Sequence, residues 1–321
     1  MDPFGDSQVS EWFRTRTLVP DPRTIAELAA LKSARGVTVS VCLPALNEAA
    51  TIGQICGVVV KDLIRGGLVD ELVVVDSGSS DDTPAIARSA GAEVFHARDL
   101  VPQAPPTRAP GKGETLWKSL SVVSGDIVVW ADSDTRNFDP RFVTRLVAPL
   151  LDHDSIGFVK AFYERPLRTE TVTLPAEGAR VTEIAVRPLL NLFFPRLAGV
   201  IQPLSGEYAG KVELLRDLPF LTGYAVDVGL LIDIVERHGL QVLAQADLGK
   251  RIHRNRDVPA LGRMSFEIMH ALLRRLDDEA RLKLSEPLRD HLVQFTDGAT
   301  GPEAARFDAA IEERRPMNDY L

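Results

Sequence analysis

The sequence predicts an α/β protein built on a mostly parallel, Rossmann-like sheet, and three observations support that prediction. Short runs of β-branched residues alternate through the first half of the chain with segments whose apolar residues recur every three or four positions. Strands and helices that alternate in this way form a parallel sheet with helices on both faces. Polar clusters follow three of the strands, and such sheets bind their ligands at the carboxyl ends of the strands.

Length and composition exclude several classes. A chain of 321 residues with 45% hydrophobic and 26% charged residues can bury a full core, so collagen-like, disordered and disulfide-scaffold classes are excluded. The net charge of −8 argues against a surface that binds polyanions throughout. Cys42 and Cys56 lie in apolar surroundings without metal-ligand spacing, so we expect buried thiols. With no leader-like N-terminus and no apolar stretch of about 18 residues, we expect a cytoplasmic protein.

Each element of the first half has its own sequence pattern. A strand at 37–43 is followed by a helix whose apolar face runs from Ile52 to Leu63. The next strand, 72–75, precedes a helix with Asp82 as N-cap and Gly91 just after its last turn. In chain order we then expect a strand at 92–95, a Pro- and Gly-rich loop at 101–113, a helix at 114–123, a buried strand at 127–131, a helix from 139 to about 151 and a strand at 157–163.

Beyond residue 165 the pattern loosens into helices interrupted by Arg and Pro. A strong helix is expected at 226–237, a strand near 242 and helices from about 261 onward. We therefore divide the chain into an N-terminal extension (1–36), a first core half (37–165), a second core half (166–260) and a helical C-terminal tail (261–321). The tail suits a subdomain or a dimer arm.

Asp132-Ser133-Asp134 is the strongest candidate site, because two carboxylates at the end of a buried strand can both reach a divalent cation or divide between a cation and ribose hydroxyls. The other Asp-x-Asp, at 152–154, lies at the frayed end of a helix, where carboxylates are usually solvated. Polar clusters at 44–48 (PALNE) and 76–82 (DSGSSDD) follow the first two strands. All three clusters are expected to converge at one edge of the sheet.

Basic residues suggest where anions bind. Lys112 lies between two glycines just before a helix, an arrangement that suits a diphosphate, although a solvated loop lysine is the ordinary alternative. The segment 250–263 contains five basic residues and one acid, a local charge of +4. It is either a solvated basic face or a site at which Arg side chains recognise a small anion. His253, within it, is on its own more often structural than a metal ligand.

Together these clusters resemble the nucleotide-sugar half of a GT-A glycosyltransferase. A narrower resemblance, to the actinobacterial glucosyl-3-phosphoglycerate and mannosyl-3-phosphoglycerate synthases, rests on five further blocks in the same order. They are PGKGE at 110–114, RVTE at 180–183, QPLSGEYA at 202–209, GLLID at 229–233 and HRNR at 253–256. The resemblance covers about residues 37 to 258, and it implies a nucleotide-sugar-binding half at 37–165 and an acceptor-binding half at 166–260.

The resemblance also implies the ligands and the residues that hold them. The donor is a nucleoside-diphosphate sugar (GDP-mannose, GDP-glucose or UDP-glucose), the acceptor is 3-phosphoglycerate, and Asp134 and His253 ligate Mg²⁺ or Mn²⁺. The implied residues are, for the nucleotide, Pro44, Ala45, Leu46, Glu48, Ser77, Lys112, Asp132 and Ser133; for the acceptor, Gly178, Ala179, Arg180, Thr182 and Asn255; for the sugar, Leu204, Ser205, Gly206, Tyr224 and Asp227; and for the reaction centre, Asp134, Asp227 and Arg251.

The implied reaction transfers a hexosyl group to the 2-hydroxyl of 3-phosphoglycerate with retention of anomeric configuration. No carboxylate pair stands out as nucleophile and acid/base, which favours attack from the same face as the departing phosphate. Asp227 stands where glucosyl-type members carry Glu, which favours mannosyl transfer with glucosyl transfer as a side activity.

Three alternatives remain: a GT-A transferase acting on a polyprenyl phosphate, a nucleotidyltransferase, and a non-catalytic protein whose basic segment binds nucleic acid or an acidic partner. A homodimer is expected from the helical C-terminal third.

Overall fold

The computed structural model describes residues 2–108, 110–164, 167–168, 173–174, 179–252, 257–298, 301–309 and 311–321. Its strands are β1 (Thr17–Leu18), β2 (Val39–Ala45), β3 (Glu71–Asp76), β4 (Glu93–His96), β5 (Ile127–Trp130), β6 (Phe158–Glu164), β7 (Leu167–Arg168), β8 (Thr173–Leu174), β9 (Tyr208–Lys211), β10 (Phe220–Leu221), β11 (Leu243–Lys250), β12 (His291–Gly298), β13 (Gly301–Asp308) and β14 (Glu313–Arg314).

Helices follow β2, β3, β4 and β5 and occupy 226–238, as the sequence pattern predicts, whereas the two helices within 1–36 and the short one after β9 were not predicted. The helices are α1 (Ser7–Arg16), α2 (Ile25–Arg35), α3 (Ile52–Val58), α4 (Thr83–Ser89), α5 (Lys112–Ser119), α6 (Arg141–Asp152), α7 (Arg187–Phe193), α8 (Val212–Arg216), α9 (Val226–His238) and α10 (Val258–Asp278). A π-helical turn at Val59–Ile64 extends α3, and another at Thr182–Val186 leads into α7.

The central sheet has eight strands in the order β1-β11-β6-β9-β5-β2-β3-β4. All neighbours pair in parallel except β9, which runs antiparallel to both β5 and β6. The mostly parallel α/β fold is thereby confirmed. Because Trp130, at the end of β5, pairs with Tyr208, at the start of β9, the residues just before β9 lie at the same edge as the carboxyl ends of the parallel strands.

The two faces of the sheet are covered by different helices. Along β5, Ile127 and Val129 belong to one buried core, which includes apolar residues of α3 and α6, whereas Val128 and Trp130 belong to the other, which includes α5 and α9. This alternation is the period of two that a strand covered on both faces requires. The carboxyl edge of the sheet is therefore positioned by two packed layers.

The N-terminal extension packs onto this sheet. Trp12 of α1 is fully buried, and its Nε1 donates a hydrogen bond to the Leu243 carbonyl at 2.7 Å. Thr17 and Leu18 then add an edge strand parallel to β11.

The prediction of a helical tail over 261–321 is wrong beyond the end of α10. The chain after Asp278 forms the hairpin β12–β13, and β14 then pairs antiparallel with β10. Strand β14 is only two residues long and is held by a partner about ninety positions away, so no local periodicity announces it. Within the described residues, no helix has the combination of length and apolarity that crossing a bilayer needs.

Candidate active site

A cleft of about 460 Å³ opens at the carboxyl edge of the sheet. It brings together most of the residues singled out in the sequence: Pro44, Ala45, Leu46, Glu48, Ser77, Lys112, Asp132, Ser133, Asp134, Ala179, Arg180, Thr182, Leu204, Tyr224, Asp227 and Arg251 all line it. Ser205 is fully buried in the same segment, and Gly206 lies against the Asp132 carboxylate. Gly178, His253 and Asn255 lie outside the described residues.

Hydrogen bonds between the strand-end loops fix the floor of the cleft. The Ser133 hydroxyl donates to the Pro44 carbonyl at 2.7 Å, which joins the loop after β5 to the end of β2. Asn47 adopts a left-handed conformation, with φ 57°, and its side chain accepts from the Ser80 amide at 2.8 Å. Asn tolerates this conformation better than most residues, so PALNE can turn toward the loop after β3.

Arg251 holds the two carboxylates of the Asp132-Ser133-Asp134 motif. Its Nη2 lies 3.0 Å from Asp132 Oδ2 and 2.7 Å from Asp134 Oδ1. Its Nε lies 2.8 Å from Glu207 Oε1, and Glu207 is fully buried. Burial raises the pKa of Glu207, and the Arg251 guanidinium opposes that rise. The ion pair with the buried Glu207 therefore holds Arg251 in place while its Nη2 contacts the two aspartates of the motif.

The Asp227 carboxylate forms ion pairs with the ammonium groups of Lys112 and Lys160. Asp227 Oδ2 lies 3.4 Å from Lys112 Nζ, and Asp227 Oδ1 lies 3.3 Å from Lys160 Nζ. Lys112 Nζ also lies 3.1 Å from Asp132 Oδ1, so it links the motif after β5 to the first turn of α9. Burial opposes the charge of Lys112, but Asp132 and Asp227 outweigh it and raise its pKa. Burial lowers the pKa of Lys160 to about 8, although Asp227 opposes that shift.

Asp132 and Asp134 provide the oxygen donors that a hard divalent cation prefers. Their side chains are 26% and 29% exposed toward the cleft, despite the contact with Arg251. Mg²⁺ in proteins usually binds one or two carboxylates and completes its shell with water and substrate phosphates, so these residues fit a catalytic cation. Within the described parts of the chain, no three His, Cys, Asp or Glu side chains are grouped to hold a metal by themselves.

The C-terminal segment contacts the helix that begins at Lys112, and the sequence did not predict these contacts. Arg314 donates to both carboxylate oxygens of Glu114, at 2.6 and 2.9 Å, and to the Pro105 carbonyl at 2.7 Å. Trp117 Nε1 donates to the Arg315 carbonyl at 2.9 Å. Since Glu114 and Trp117 lie in the helix that begins at Lys112, this segment holds the lysine in place.

Three further contributions to the cleft were also missed. Leu261, Met264 and Glu267 of α10 line its rim. Glu207 lies inside the QPLSGEYA block, and Lys160 lies in a predicted strand, but the sequence indicates no site role for either residue. A charged residue flanked by buried strand positions was the available signal for Lys160, since lysine is almost never fully buried without a partner.

The fold and the cleft are those of a GT-A glycosyltransferase: a mostly parallel sheet with an Asp-x-Asp motif, a buried lysine and two polar strand-end loops on one pocket. The family model described as glycosyl transferase family 2 matches residues 40–195. Glucosyl-3-phosphoglycerate synthase from Petrotoga mobilis is 46% identical over 91% of this chain and 90% of its own. The chain belongs to the glucosyl-3-phosphoglycerate synthase family.

Two solved structures extend the likeness to the whole chain. Mannosyl-3-phosphoglycerate synthase from Rubrobacter xylanophilus superposes with a TM-score of 0.88 at 38% identity, covering 97% of this chain and 99% of that one. Glucosyl-3-phosphoglycerate synthase from Mycobacterium tuberculosis, solved with Mn²⁺, UDP-glucose and phosphoglyceric acid, has a TM-score of 0.80 at 44% identity and covers 95% of this chain and 98% of that one.

Proposed function

We propose that this protein transfers a glucosyl or mannosyl group from a nucleoside-diphosphate sugar to the 2-hydroxyl of 3-phosphoglycerate, with a divalent cation as cofactor. The observation that carries the proposal is that a single cleft collects most of the described residues expected for nucleotide, sugar and acceptor. The names of the relatives and the ligands in the Mycobacterium tuberculosis complex support the same reaction.

The donor nucleotide occupies the side of the cleft formed by β2, β3 and β5. Pro44, Ala45, Leu46 and Glu48 hold the base. The nucleoside is held by Ser77, Asp132 and Ser133. Lys112 binds the diphosphate, because it is the first residue of α5 and its ammonium lies beside Asp132 of the motif that faces the cation.

Asp134 would hold the cation together with His253, which lies outside the described residues. The cation would supply positive charge to offset that of the diphosphate as the nucleotide leaves. Arg251 lies between Asp132 and Asp134, and its anchor to Glu207 keeps both carboxylates aimed into the cleft. The buried guanidinium therefore orients the motif and reduces the repulsion between its two negative charges.

The acceptor binds along residues 179–182, of which Ala179, Arg180 and Thr182 line the cleft; the resemblance adds Gly178 and Asn255, which lie outside the described residues. Arg180 suits the phosphate or carboxylate of 3-phosphoglycerate, since a guanidinium can donate two parallel hydrogen bonds to either anion. Ala179 and Thr182 line the same cleft as the residues assigned to the donor, so donor and acceptor can bind in it together.

Retention of configuration proceeds by attack on the face from which the phosphate departs. Asp227 is the carboxylate expected at the sugar, and both of its oxygens already face an ammonium group. The ion pair with the buried Lys160 weakens the Asp227 carboxylate as a nucleophile, which argues against a covalent glycosyl intermediate on Asp227. Trapping such an intermediate with a slow donor would overturn this step.

Donor choice follows from Asp227, Leu204 and Tyr224, which line the sugar end of the cleft together with the buried Ser205 and Gly206. The shorter Asp in place of Glu favours mannosyl transfer, with glucosyl transfer as a side activity, whereas the names of the curated relatives favour glucosyl transfer. A donor panel decides between them.

The test is nucleotide release with GDP-mannose, GDP-glucose and UDP-glucose, each with and without 3-phosphoglycerate and a chelator. We expect release that requires both the acceptor and the cation, and that is lost in Asp134→Ala. Turnover with none of the three donors would overturn the proposal. Acceptor-independent binding to nucleic acid that falls steeply with salt would favour the non-catalytic alternative instead.

A homodimer and a cytoplasmic setting complete the proposal. The hairpin β12–β13 exposes Val293 and Phe295 by 49% and 74% on one face, while Gln294 on its other face contacts α10. A two-stranded hairpin is marginal alone, so a second copy on the exposed face would stabilise it. Cys42 and Cys56 are buried and unpaired, which fits a reducing compartment.

A further inference from the structure

Lys160 is a buried lysine in the middle of the central sheet. It lies in β6 between β11 and β9, its side chain is 1% exposed, and it is not among the described residues that line the cleft. Burying an ammonium group is unfavourable unless a partner compensates, and apolar side chains in place of both members of a buried ion pair are often at least as stable. The charge at this position therefore calls for a role beyond packing.

The groups around the Lys160 ammonium come from four elements. Asp227 of α9 lies 3.3 Å away, and the Tyr208 ring of β9 lies with its centroid 4.1 Å from Nζ. Lys112 of α5 and Asp132, after β5, act on it through their charges. Lys160 thus pairs with the Asp227 carboxylate from its buried side, while Lys112, which lines the cleft, pairs with it from the cleft side.

The two lysines differ in what the donor does to them. Lys112 lies between Asp132 and Asp227, and under the proposed function it turns to the diphosphate once the nucleotide sugar binds. Lys160 is out of reach of the donor, so it remains on Asp227 Oδ1 throughout.

We propose that Lys160 is a positioning residue for the donor sugar. It keeps the Asp227 carboxylate oriented toward the sugar when the diphosphate draws Lys112 away from Asp227. This inference rests on the proposed function and adds a residue to the machinery of donor-sugar recognition. It predicts an effect on the sugar and not on the nucleotide, because Lys160 acts only through Asp227.

The experiment compares Lys160→Met and Lys160→Gln with the wild type, using the sugar nucleotide that the donor panel identifies and the matching UDP or GDP without sugar. For Lys160→Met, kcat/KM for the sugar nucleotide should fall about 10- to 100-fold, the range for losing a hydrogen bond to a charged group. Lys160→Gln, which keeps a donor without the charge, should lie in between. Calorimetric affinity for UDP or GDP alone should stay within about twofold.

A double-mutant cycle with Asp227→Asn separates positioning from a structural role. If Lys160 acts through Asp227, Lys160→Met should add little to the loss already caused by Asp227→Asn. Lys211→Met is the matched control, since Lys211 lies in the neighbouring strand β9 and its ammonium donates to the Asp154 carbonyl. Its kcat/KM should match the wild type.

The outcomes are distinguishable from failure of the proposed function. A wild-type enzyme that turns over no donor overturns both ideas. A wild-type enzyme that is active, with Lys160→Met and Lys160→Gln equally active, overturns only the role of Lys160. Full additivity with Asp227→Asn, or an equal loss of affinity for UDP or GDP alone, would also overturn it, because both results indicate a general structural defect.

Discussion

Gly206→Ala tests whether the backbone before β9 must approach Asp132 closely. A Cβ built on Gly206 would lie 1.9 Å from Asp132 Oδ2 and 2.2 Å from its Cγ. Ordinary contact begins at 3.4 Å, so the two groups must separate by roughly 1.5 Å, the difference of the two distances. The carboxylate has little room to move, since Arg251 and Lys112 hold its two oxygens at 3.0 and 3.1 Å.

A displacement of this size at the reacting groups predicts a loss of about 100-fold in kcat/KM, measured by acceptor-dependent nucleotide release. The fold should survive, with overpacking destabilising it by about 1–3 kcal/mol in chemical denaturation. Gly57→Ala is the control, because nothing lies within 4 Å of a Cβ there, and it should keep full activity. Wild-type kcat/KM in Gly206→Ala would refute the claim that Asp132 must occupy its observed position.

Three further predictions concern stability, donor choice and assembly. Arg314→Met leaves the buried Glu114 with only Lys118, whose ammonium lies 3.5 Å from Glu114 Oε1, and should lower the free energy of unfolding by about 3 kcal/mol. Arg306→Met, at an exposed ion pair, should change it by less than about 1 kcal/mol, and equal effects in urea denaturation would contradict the role of the C-terminal segment. Asp227→Glu should shift the ratio of kcat/KM values toward glucosyl donors, and an unchanged ratio would show that this carboxylate does not select the sugar. Phe295→Glu should yield a monomer by light scattering with turnover retained; a species of unchanged mass would exclude the exposed hairpin face as the contact between copies.

Local sequence pattern was enough for six of the eight strands of the central sheet, all but β1 and β9, and for the part of the cleft at the ends of β2, β3 and β5. Strands β2, β3 and β5 are short apolar runs, each followed at once by a polar cluster, and parallel strands necessarily bring such clusters to one edge. The position of Asp132-Ser133-Asp134 at the end of a buried strand therefore separated it from Asp152 and Asp154, whose side chains form surface contacts with Arg23 and Arg35.

The long-range contacts were not available from local pattern. Arg314 and Glu114 are 200 residues apart and meet only because β14 pairs with β10 beside the start of α9. Lys160 and Asp227 lie in a strand and a helix whose approach depends on β9 being inserted antiparallel between β5 and β6. Neither propensity nor hydrophobic periodicity encodes such pairings, so the residues that support the site were not predicted, although most of its lining residues were.

The most direct test of the proposed reaction is the chemical structure of its product. Wild-type enzyme would be incubated with the preferred sugar nucleotide, 3-phosphoglycerate and Mg²⁺, and the product examined by mass spectrometry and NMR. The proposed function predicts one hexose joined through its anomeric carbon to the 2-hydroxyl of 3-phosphoglycerate, with the anomeric configuration of the donor. Free hexose beside unchanged 3-phosphoglycerate would contradict it.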